Sequence, residues 1–157
     1  MGDMSRFLQE AILLARDRMR AREGGPFGAL VVRDGEVIAR GWNRVPSSCD
    51  PTAHAEIVAI RAACEALGDF RLSGCTIYSS CEPCPMCLGA IYWARLERLV
   101  FAATREDAAR AGFDDGRIYD QIALAPGERS LRTECALRDD ARELFVEWES
   151  LEGRVEY

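Results

Sequence analysis

Four residues of this chain have the types and spacing of a hydrolytic zinc site. His54 is the single histidine among 157 residues, and Glu56 follows it by two positions. Cys84 and Cys87 come later, separated by two residues. Catalytic zinc sites use three nitrogen or sulfur ligands and keep one position for water. Zinc is therefore predicted at His54, Cys84 and Cys87. Glu56 is the predicted general base and acid beside it.

Two other interpretations of the cysteines stay open at this point. Cys84 and Cys87 form a C-x-x-C pair, which is also typical of thioredoxin-like redox sites. Cys81 stands three residues before Cys84, so three thiols and His54 could instead close a structural zinc site with four ligands. The site with four ligands leaves Glu56 without a role, which favours the hydrolytic site.

Helical geometry places a condition on His54 and Glu56. Residues two apart on an ideal helix point about 200° apart. His54 and Glu56 can therefore serve one ion only if His54 stands at the start of a helix and the metal lies beyond that end. Cys84 and Cys87 are three apart and share one helix face. We expect Cys84 in the first helical turn, where free N–H groups and the helix dipole stabilise a thiolate.

Composition excludes several classes of function. All 20 basic residues are arginine, which rules out Schiff-base chemistry and a Walker-type phosphate loop. The net charge of −6 disfavours nucleic acid as a partner, and no apolar run approaches the roughly 18 residues of a membrane span. A small, neutral or weakly charged substrate is predicted. Seven cysteines without an export signal predict a cytoplasmic protein with metal-bound or buried thiols.

Hydrophobic periodicity predicts one α/β domain over residues 1–157. Helices are predicted at residues 5–20, 53–67, 105–111 and 139–149, and a further one is opened by Pro83. Strands are predicted at residues 29–32, 37–39, 75–79 and 99–102, the first two joined by an Asp34–Gly35 hairpin turn. Residues 43–51, 112–116 and 126–127 are predicted loops or turns. A hairpin followed by alternating helices and strands favours a mixed sheet with helices on both faces.

Five stretches of the chain carry a family resemblance. They are residues 25–29 (GPFGA), 50–56 (DPTAHAE), 80–95 (SCEPCPMCLGAIYWAR), 111–115 (AGFDD) and 156–157 (EY). Together they are similar to the bacterial guanine deaminases within the cytidine deaminase superfamily, whose zinc signature is H-x-E…P-C-x-x-C. Residues 92–95, the FDD run and the terminal tyrosine point to guanine. The resemblance spans nearly the whole chain and is weakest between residues 122 and 150.

The resemblance implies a fold, a reaction and an assembly. The fold would be a three-layer cytidine-deaminase-like fold, with a mixed central sheet of about five strands flanked by helices. The reaction would be Zn2+-dependent hydrolysis of guanine to xanthine and ammonia, within purine metabolism. The assembly would be a homodimer that exchanges a C-terminal segment of about residues 112–157. Cytosine, guanosine and tRNA adenosine stay open as other substrates, and a structural zinc scaffold is the alternative that is not an enzyme.

The same resemblance assigns roles to individual residues. His54, Cys84 and Cys87 would hold zinc, and Glu56 would shuttle protons. Asp115 would bind substrate or relay protons, and Tyr157 would cap the pocket from the other subunit. The substrate contacts would be Phe27, Asn43, Ala55, Trp93, Asp115 and Tyr157. Taken alone, Phe27 and Trp93 are also compatible with an ordinary core, and Asp115 with a turn.

Overall fold

The structure, a computed structural model, describes residues 2–157. Helices and strands alternate along most of the chain, and two compact units are formed, one ending at Asp115 and one of Gly116–Tyr157. The elements in order are α1 (Gly2–Arg20), β1 (Gly28–Arg33), β2 (Glu36–Trp42), α2 (Val45–Ser48), α3 (Ala55–Leu67), β3 (Cys75–Cys81), α4 (Pro85–Trp93), β4 (Arg98–Ala103), α5 (Arg105–Arg110), α6 (Gly116–Ala123), a 3-10 turn (Pro126–Glu128) and α7 (Arg138–Ser150).

The predicted hairpin is confirmed by its turn. Asp34 has φ 51° and Gly35 has φ 79°, and positive φ at both central residues is the requirement of a type I′ turn. This turn matches the right-handed twist of the strands that it joins. β1 and β2 consequently pair antiparallel from the turn to the pair Gly28 and Trp42.

The sheet is mixed, with strand order β2-β1-β3-β4. β1 is antiparallel to β2 and to β3, whereas β3 and β4 are parallel and are joined through α4. About five strands were expected, but the part of the chain that the structure describes has four. After β4 the backbone turns into α5, a turn and α6, so the segment that would supply a fifth strand is helical or irregular.

Alternating side chains of β1 supply two separate cores. Leu30 and Val32 pack with Phe7 and Ala11 of α1 and with Tyr78. Their neighbours in β1 point to the opposite face, where a second buried cluster includes α3 residues. Because successive strand residues face opposite sides, the sheet lies between α1 and α3. This is the layered α/β arrangement expected from the sequence.

Gly41 allows α3 to lie directly on β2. A Cβ atom at Gly41 would stand 2.1 Å from the Ala55 carbonyl oxygen and 2.4 Å from the Ala59 nitrogen. Backbone atoms cannot approach a side-chain carbon so closely, so only glycine fits. The contact fixes the first turn of α3 against the sheet.

The second unit, Gly116–Tyr157, has a different character. It contains α6, the 3-10 turn and α7, and none of its residues is buried. The helix predicted at residues 139–149 is confirmed as α7, whereas α6 was not predicted. Gly116 was assigned to a turn, but it begins this short helix.

Two boundaries near the predicted ligands differ from expectation. Residues 43–51 were predicted as a loop, yet they include the short helix α2, with proline at its start. The helix predicted to open at Pro83 begins instead at Pro85, and Cys84 has extended φ and ψ of −65° and 169°. The physical reason is that proline disfavours the helical conformation of the residue before it.

Candidate zinc and active site

His54 stands immediately before α3. It occupies the N-cap position with an extended backbone, φ −69° and ψ 156°, while Glu56 is the second residue of the helix. The imidazole therefore lies outside the helical repeat, and the two side chains are not constrained to opposite faces. The condition that helical geometry imposed on this pair is confirmed.

The two cysteines lie at the start of α4. Cys84 is the N-cap residue, rather than a member of the first turn as expected, and Pro85 is at a position that favours proline. Cys87 is buried within the first turn. Both α3 and α4 thus begin next to the ligand cluster. Free N–H groups and the positive ends of two helix dipoles favour negative charge on the thiols.

The donor atoms of His54, Cys84 and Cys87 lie within 4.8 Å of one another. The Nδ1 atom of His54 is 3.6 Å from the Cys84 sulfur and 3.5 Å from the Cys87 sulfur. Tetrahedral zinc, with bonds of about 2.3 Å to sulfur and about 2.0–2.1 Å to nitrogen, separates such ligands by about 3.5–3.6 Å. The donor set and its spacing therefore fit zinc.

The two thiols of this cluster differ in acidity. The hydrogen bond with Cys87, followed by the one with His54, outweighs burial and lowers the pKa of Cys84 to about 4. The pKa of Cys87 is raised, chiefly by its hydrogen bond to Cys84 and by burial. The pKa of His54 is raised, chiefly by its hydrogen bond with Cys84. Zinc binding at this cluster therefore requires that His54 be neutral and that both thiols lose their protons.

Glu56 is a buried carboxyl beside the ligands. It is 5% exposed, and burial raises its pKa above the ordinary value. Ser79 Oγ donates to Oε1 at 3.1 Å, and Cys87 Sγ donates to Oε2 at 3.4 Å. Among the residues that the structure describes, Glu56 is outside the group of possible metal ligands. A raised pKa beside a metal site suits a residue that takes up and releases protons.

Cys81 has a separate environment. Its thiol is buried and donates to the Thr104 carbonyl at 3.6 Å, and burial raises its pKa to about 11. Within residues 2–157 the possible ligand group of this site contains three residues and excludes Cys81. The structural zinc site with four ligands is therefore not favoured.

Phe27 comes just before β1 and Asn43 just after β2, so both lie at the same end of this strand pair. Asn43 is 8% exposed, and its Oδ1 accepts from the backbone N–H groups of Gly25 at 3.1 Å and Val45 at 3.4 Å. Both contacts are made by the oxygen, so the amide orientation is set and the nitrogen points elsewhere. Phe27 meets Phe113 edge to face, with ring centroids 4.9 Å apart.

For the remaining predicted site residues, the structure gives burial and position in an element rather than a contact with the ligands. Asp115 is half-buried, and its pKa is raised by burial and then by the charge of Cys84, which indicates that it lies near the ligands. Trp93 ends α4 and is 64% exposed, and Tyr157 is in the second unit and is 73% exposed. Ala55 is the first residue of α3. The substrate roles of these four residues stay predictions.

Ser79 and Phe113 are neighbours of the site to which sequence reasoning assigned no role, although Phe113 belongs to the FDD run of the family resemblance. Strand alternation places Ser79 on the same face as Cys75 and Ile77, which are buried and apolar. A hydroxyl at a position where alternation requires an apolar side chain needs a partner. That signal was present in the sequence. The Phe113 contact with Phe27 had no local signal.

A family comparison agrees with this geometry. The cytidine and deoxycytidylate deaminase zinc-binding region matches residues 1–103, which include all three possible ligands and Glu56. The chain belongs to this deaminase family. Among the described residues, no helix combines the length and the apolar character needed to cross a membrane.

Individual members of the deaminase family extend the comparison. Guanine deaminase of Bacillus subtilis (strain 168) is 48% identical over 151 residues, which are 96% of this chain and 97% of the relative. Its crystal structure has a TM-score of 0.95 and matches over 98% of both chains. The tRNA-specific adenosine deaminase of Agrobacterium fabrum is 48% identical over 66% of this chain and 67% of its own length. A further relative, solved as a complex with 8-azaguanine, is 39% identical over 70% of this chain and 64% of its own, with a TM-score of 0.67.

Coverage, rather than identity, separates these deaminases. Identity is 48% to both the guanine and the tRNA enzyme. The match to guanine deaminase covers 151 residues and so reaches well beyond Asp115, whereas the match to the tRNA enzyme covers 103 residues. The match to guanine deaminase therefore includes most of the second unit.

Proposed function

We propose that this protein hydrolyses guanine to xanthine and ammonia. The observation that carries the substrate is the similarity to a guanine deaminase over 96% of the chain, including the second unit. The observation that supports the reaction is a buried carboxyl in contact with one member of a His–Cys–Cys cluster. Water adds to the ring carbon that carries the exocyclic amine, the carbon–nitrogen bond breaks, and the nitrogen leaves as ammonia.

Glu56 is the proton carrier of this reaction. His54, Cys84 and Cys87 would hold zinc, which would supply activation of the attacking water by lowering its pKa from about 15.7 to about 7. Glu56 takes the proton of the water and delivers it to the departing amine. Burial raises the pKa of Glu56 above its ordinary value, and a raised pKa favours uptake of a proton by the carboxylate. A carboxyl group with a raised pKa can both accept and return one proton in each turnover.

Asn43, Phe27 and Ala55 are suited to hold a flat base. Because Asn43 Oδ1 is taken by two backbone donors, its amide nitrogen is the group left to face acceptor atoms of the base. Phe27 offers an aromatic face, which its edge-to-face contact with Phe113 holds in place. The N–H of Ala55 is in the first turn of α3, where helices have no internal acceptor. Trp93 would supply a second wall.

The assembly that we propose is a homodimer in which residues 112–157 are exchanged between two copies. α7 has no buried residue, and Leu144, Phe145 and Val146 are 66%, 68% and 67% exposed. Exposed apolar surface on a helix is typical of a protein–protein interface. In the first unit, Tyr92 and Trp93 of α4 are 71% and 64% exposed. A second copy of the chain supplies the missing apolar surfaces, and Tyr157 then caps the partner's pocket beside Asp115.

The proposed setting is the cytoplasm, where the enzyme would take part in purine metabolism. All seven cysteines are free thiols, which suits a reducing compartment. The net charge of −6 favours a free base over tRNA, because nucleic-acid binders neutralise phosphates with a basic surface.

The substrate is tested by measuring ammonia release from the zinc-loaded protein. We expect turnover of guanine to exceed that of cytosine, guanosine and an anticodon hairpin containing adenosine. Faster turnover of the hairpin would contradict the proposal and assign the chain to tRNA. Stoichiometric zinc with no activity on any of these compounds would favour a scaffold instead.

The reaction is tested with Glu56→Ala. This variant should retain its zinc, because Glu56 is not a ligand, while kcat on guanine falls at least about 100-fold through loss of acid–base catalysis. Zinc by atomic absorption and ammonia by a coupled assay are measured together. Glu65→Ala is the matched control, since Glu65 is an exposed residue of the same helix and should leave both values unchanged.

A further inference from the structure

We propose that Ser79 is a positioning residue that holds the carboxyl of Glu56 in the orientation needed for proton transfer. The inference rests on the proposed function, because it concerns the proton carrier of that reaction. Ser79 Oγ donates to Glu56 Oε1 at 3.1 Å across 23 residues of sequence. Ser79 is 1% exposed and Glu56 is 5% exposed, so water does not compete for this bond.

The backbone around Ser79 leaves its hydroxyl little freedom. Ser79 pairs with Ala29 of β1 on one side and with Phe101 of β4 on the other. It therefore lies in the interior of the sheet. Strand alternation directs it to the face that carries Ile77 and the α3 cluster. The next residue, Ser80, points the other way, and its Oγ accepts from the Gly28 N–H at 3.0 Å. Two adjacent serines therefore serve different partners.

The second donor to Glu56 is lost when zinc binds. Cys87 Sγ donates to Glu56 Oε2 at 3.4 Å, but a cysteine that ligates zinc is a thiolate and has no proton to donate. Ser79 is then the remaining side-chain donor to Glu56 among the contacts that the structure describes. It anchors Oε1 and leaves Oε2 directed towards the ligand cluster. Hydrogen bonds to an ionised carboxylate are stronger than bonds between neutral groups, which suits the Ser79 hydroxyl to this anchoring.

Serine-to-alanine substitution separates positioning from structure. Ser79→Ala should lower kcat on guanine by about 10- to 100-fold, since small displacements of a catalytic group cost that much. KM and zinc content should stay within about twofold, because the anchor does not touch substrate or metal. Ser79→Thr retains the hydroxyl and should recover most of kcat. Ser80→Ala is the matched control, which removes a buried hydroxyl of the same strand and should keep kcat.

Several results would overturn the proposal. These are an unchanged kcat in Ser79→Ala, an equal loss of kcat in Ser80→Ala, a loss of zinc that parallels the loss of activity, or a folded Ser79→Thr as slow as Ser79→Ala. Wild-type protein is assayed alongside. If it releases no ammonia from guanine, the proposed function fails and the anchor is judged by spectroscopy alone.

Infrared difference spectra provide the measurement that does not need activity. Wild type minus Glu56→Gln isolates the carboxyl band of Glu56, and Ser79→Ala minus the double variant isolates the same band without the anchor. We expect the band to shift when the hydroxyl is removed and to return in Ser79→Thr. A band that is identical with and without the Ser79 hydroxyl would show that the contact is not made in solution.

Discussion

Glu56 and Asp115 are two acids of the same region with different surroundings. Glu56 is buried, and hydroxyl and thiol donors contact its two oxygens. Asp115 is half-buried, and the nearby Cys84 charge adds to burial in raising its pKa. The first is held in one orientation, as proton transfer demands. The partial exposure of Asp115 is compatible with its predicted contact with substrate.

Asp115 is tested by Asp115→Asn. An amide keeps the size of the carboxyl but cannot take up a proton or a negative charge, so guanine turnover should fall about tenfold or more. Zinc content should be unchanged. Asp114→Asn is the control, because Asp114 is the adjacent exposed acid. Full activity in Asp115→Asn would mean that Asp115 is only a turn residue.

At the scale of elements, two helices and a strand position the residues of the candidate site. α3 and α4 each begin at the ligand cluster, with His54 and Cys84 as their N-cap residues. β3 carries Ser79, whose hydroxyl donates to Glu56. The position of α3 depends on Gly41, since its first turn lies on the backbone of β2. Helix ends, rather than helix faces, therefore form this site.

Gly41→Ala should displace α3. The added methyl would meet the Ala55 and Ala59 backbone at 2.1 and 2.4 Å. Neither contact can relax by rotating a side chain, so we expect a loss of about 3 kcal/mol or more in the free energy of unfolding. Urea denaturation measures it. Gly127→Ala is the control, because a Cβ there meets nothing within 4 Å and should change stability by less than about 0.5 kcal/mol. Equal stability of the two variants would contradict this account of the packing.

At the scale of the whole molecule, burial is uneven. The unit that ends at Asp115 has two buried clusters, whereas Gly116–Tyr157 has no buried residue. Small units cannot cover their apolar surface without help. The proposed exchange between two copies would bury Leu144, Phe145 and Val146 and would explain why the second unit carries apolar residues at all.

Mixed subunits test the exchange. A chain without Tyr157 keeps Glu56, and a Glu56→Ala chain keeps Tyr157, so each is expected to be weakly active or inactive alone. If Tyr157 caps the partner's pocket, dimers re-formed from an equal mixture should have about a quarter of their sites restored. Guanine turnover after mixing measures this, with zinc content as a check. No recovery in dimers that native mass spectrometry shows to be mixed would place the cap within one chain.

The sequence by itself determined the elements and groups whose evidence is local. The H-x-E and C-x-x-C spacings predicted three possible metal ligands and an acid beside them, because few other chemistries use that set, and the structure brings the three ligands together. The condition that His54 begin a helix followed from helical pitch alone and is met. The Asp34–Gly35 turn and the hydrophobic periods likewise predicted β1, β2, α1 and α3. Within the cysteine motif, Pro83 was a misleading start signal, because Pro85 shifts the helix by two residues.

Only the tertiary structure decided which distant groups meet. The Ser79 contact with Glu56 joins residues 23 apart, and Phe27 reaches Phe113 from the other end of the first unit. No local pattern encodes such pairs, since they depend on strand order and on how closely α3 approaches β2. The number of strands also depended on the chain after β4, where weak periodicity leaves the outcome to packing. Residue spacing predicted which side chains form the site. The orientation of those side chains depends on contacts between residues that are distant in sequence and meet only in the folded chain.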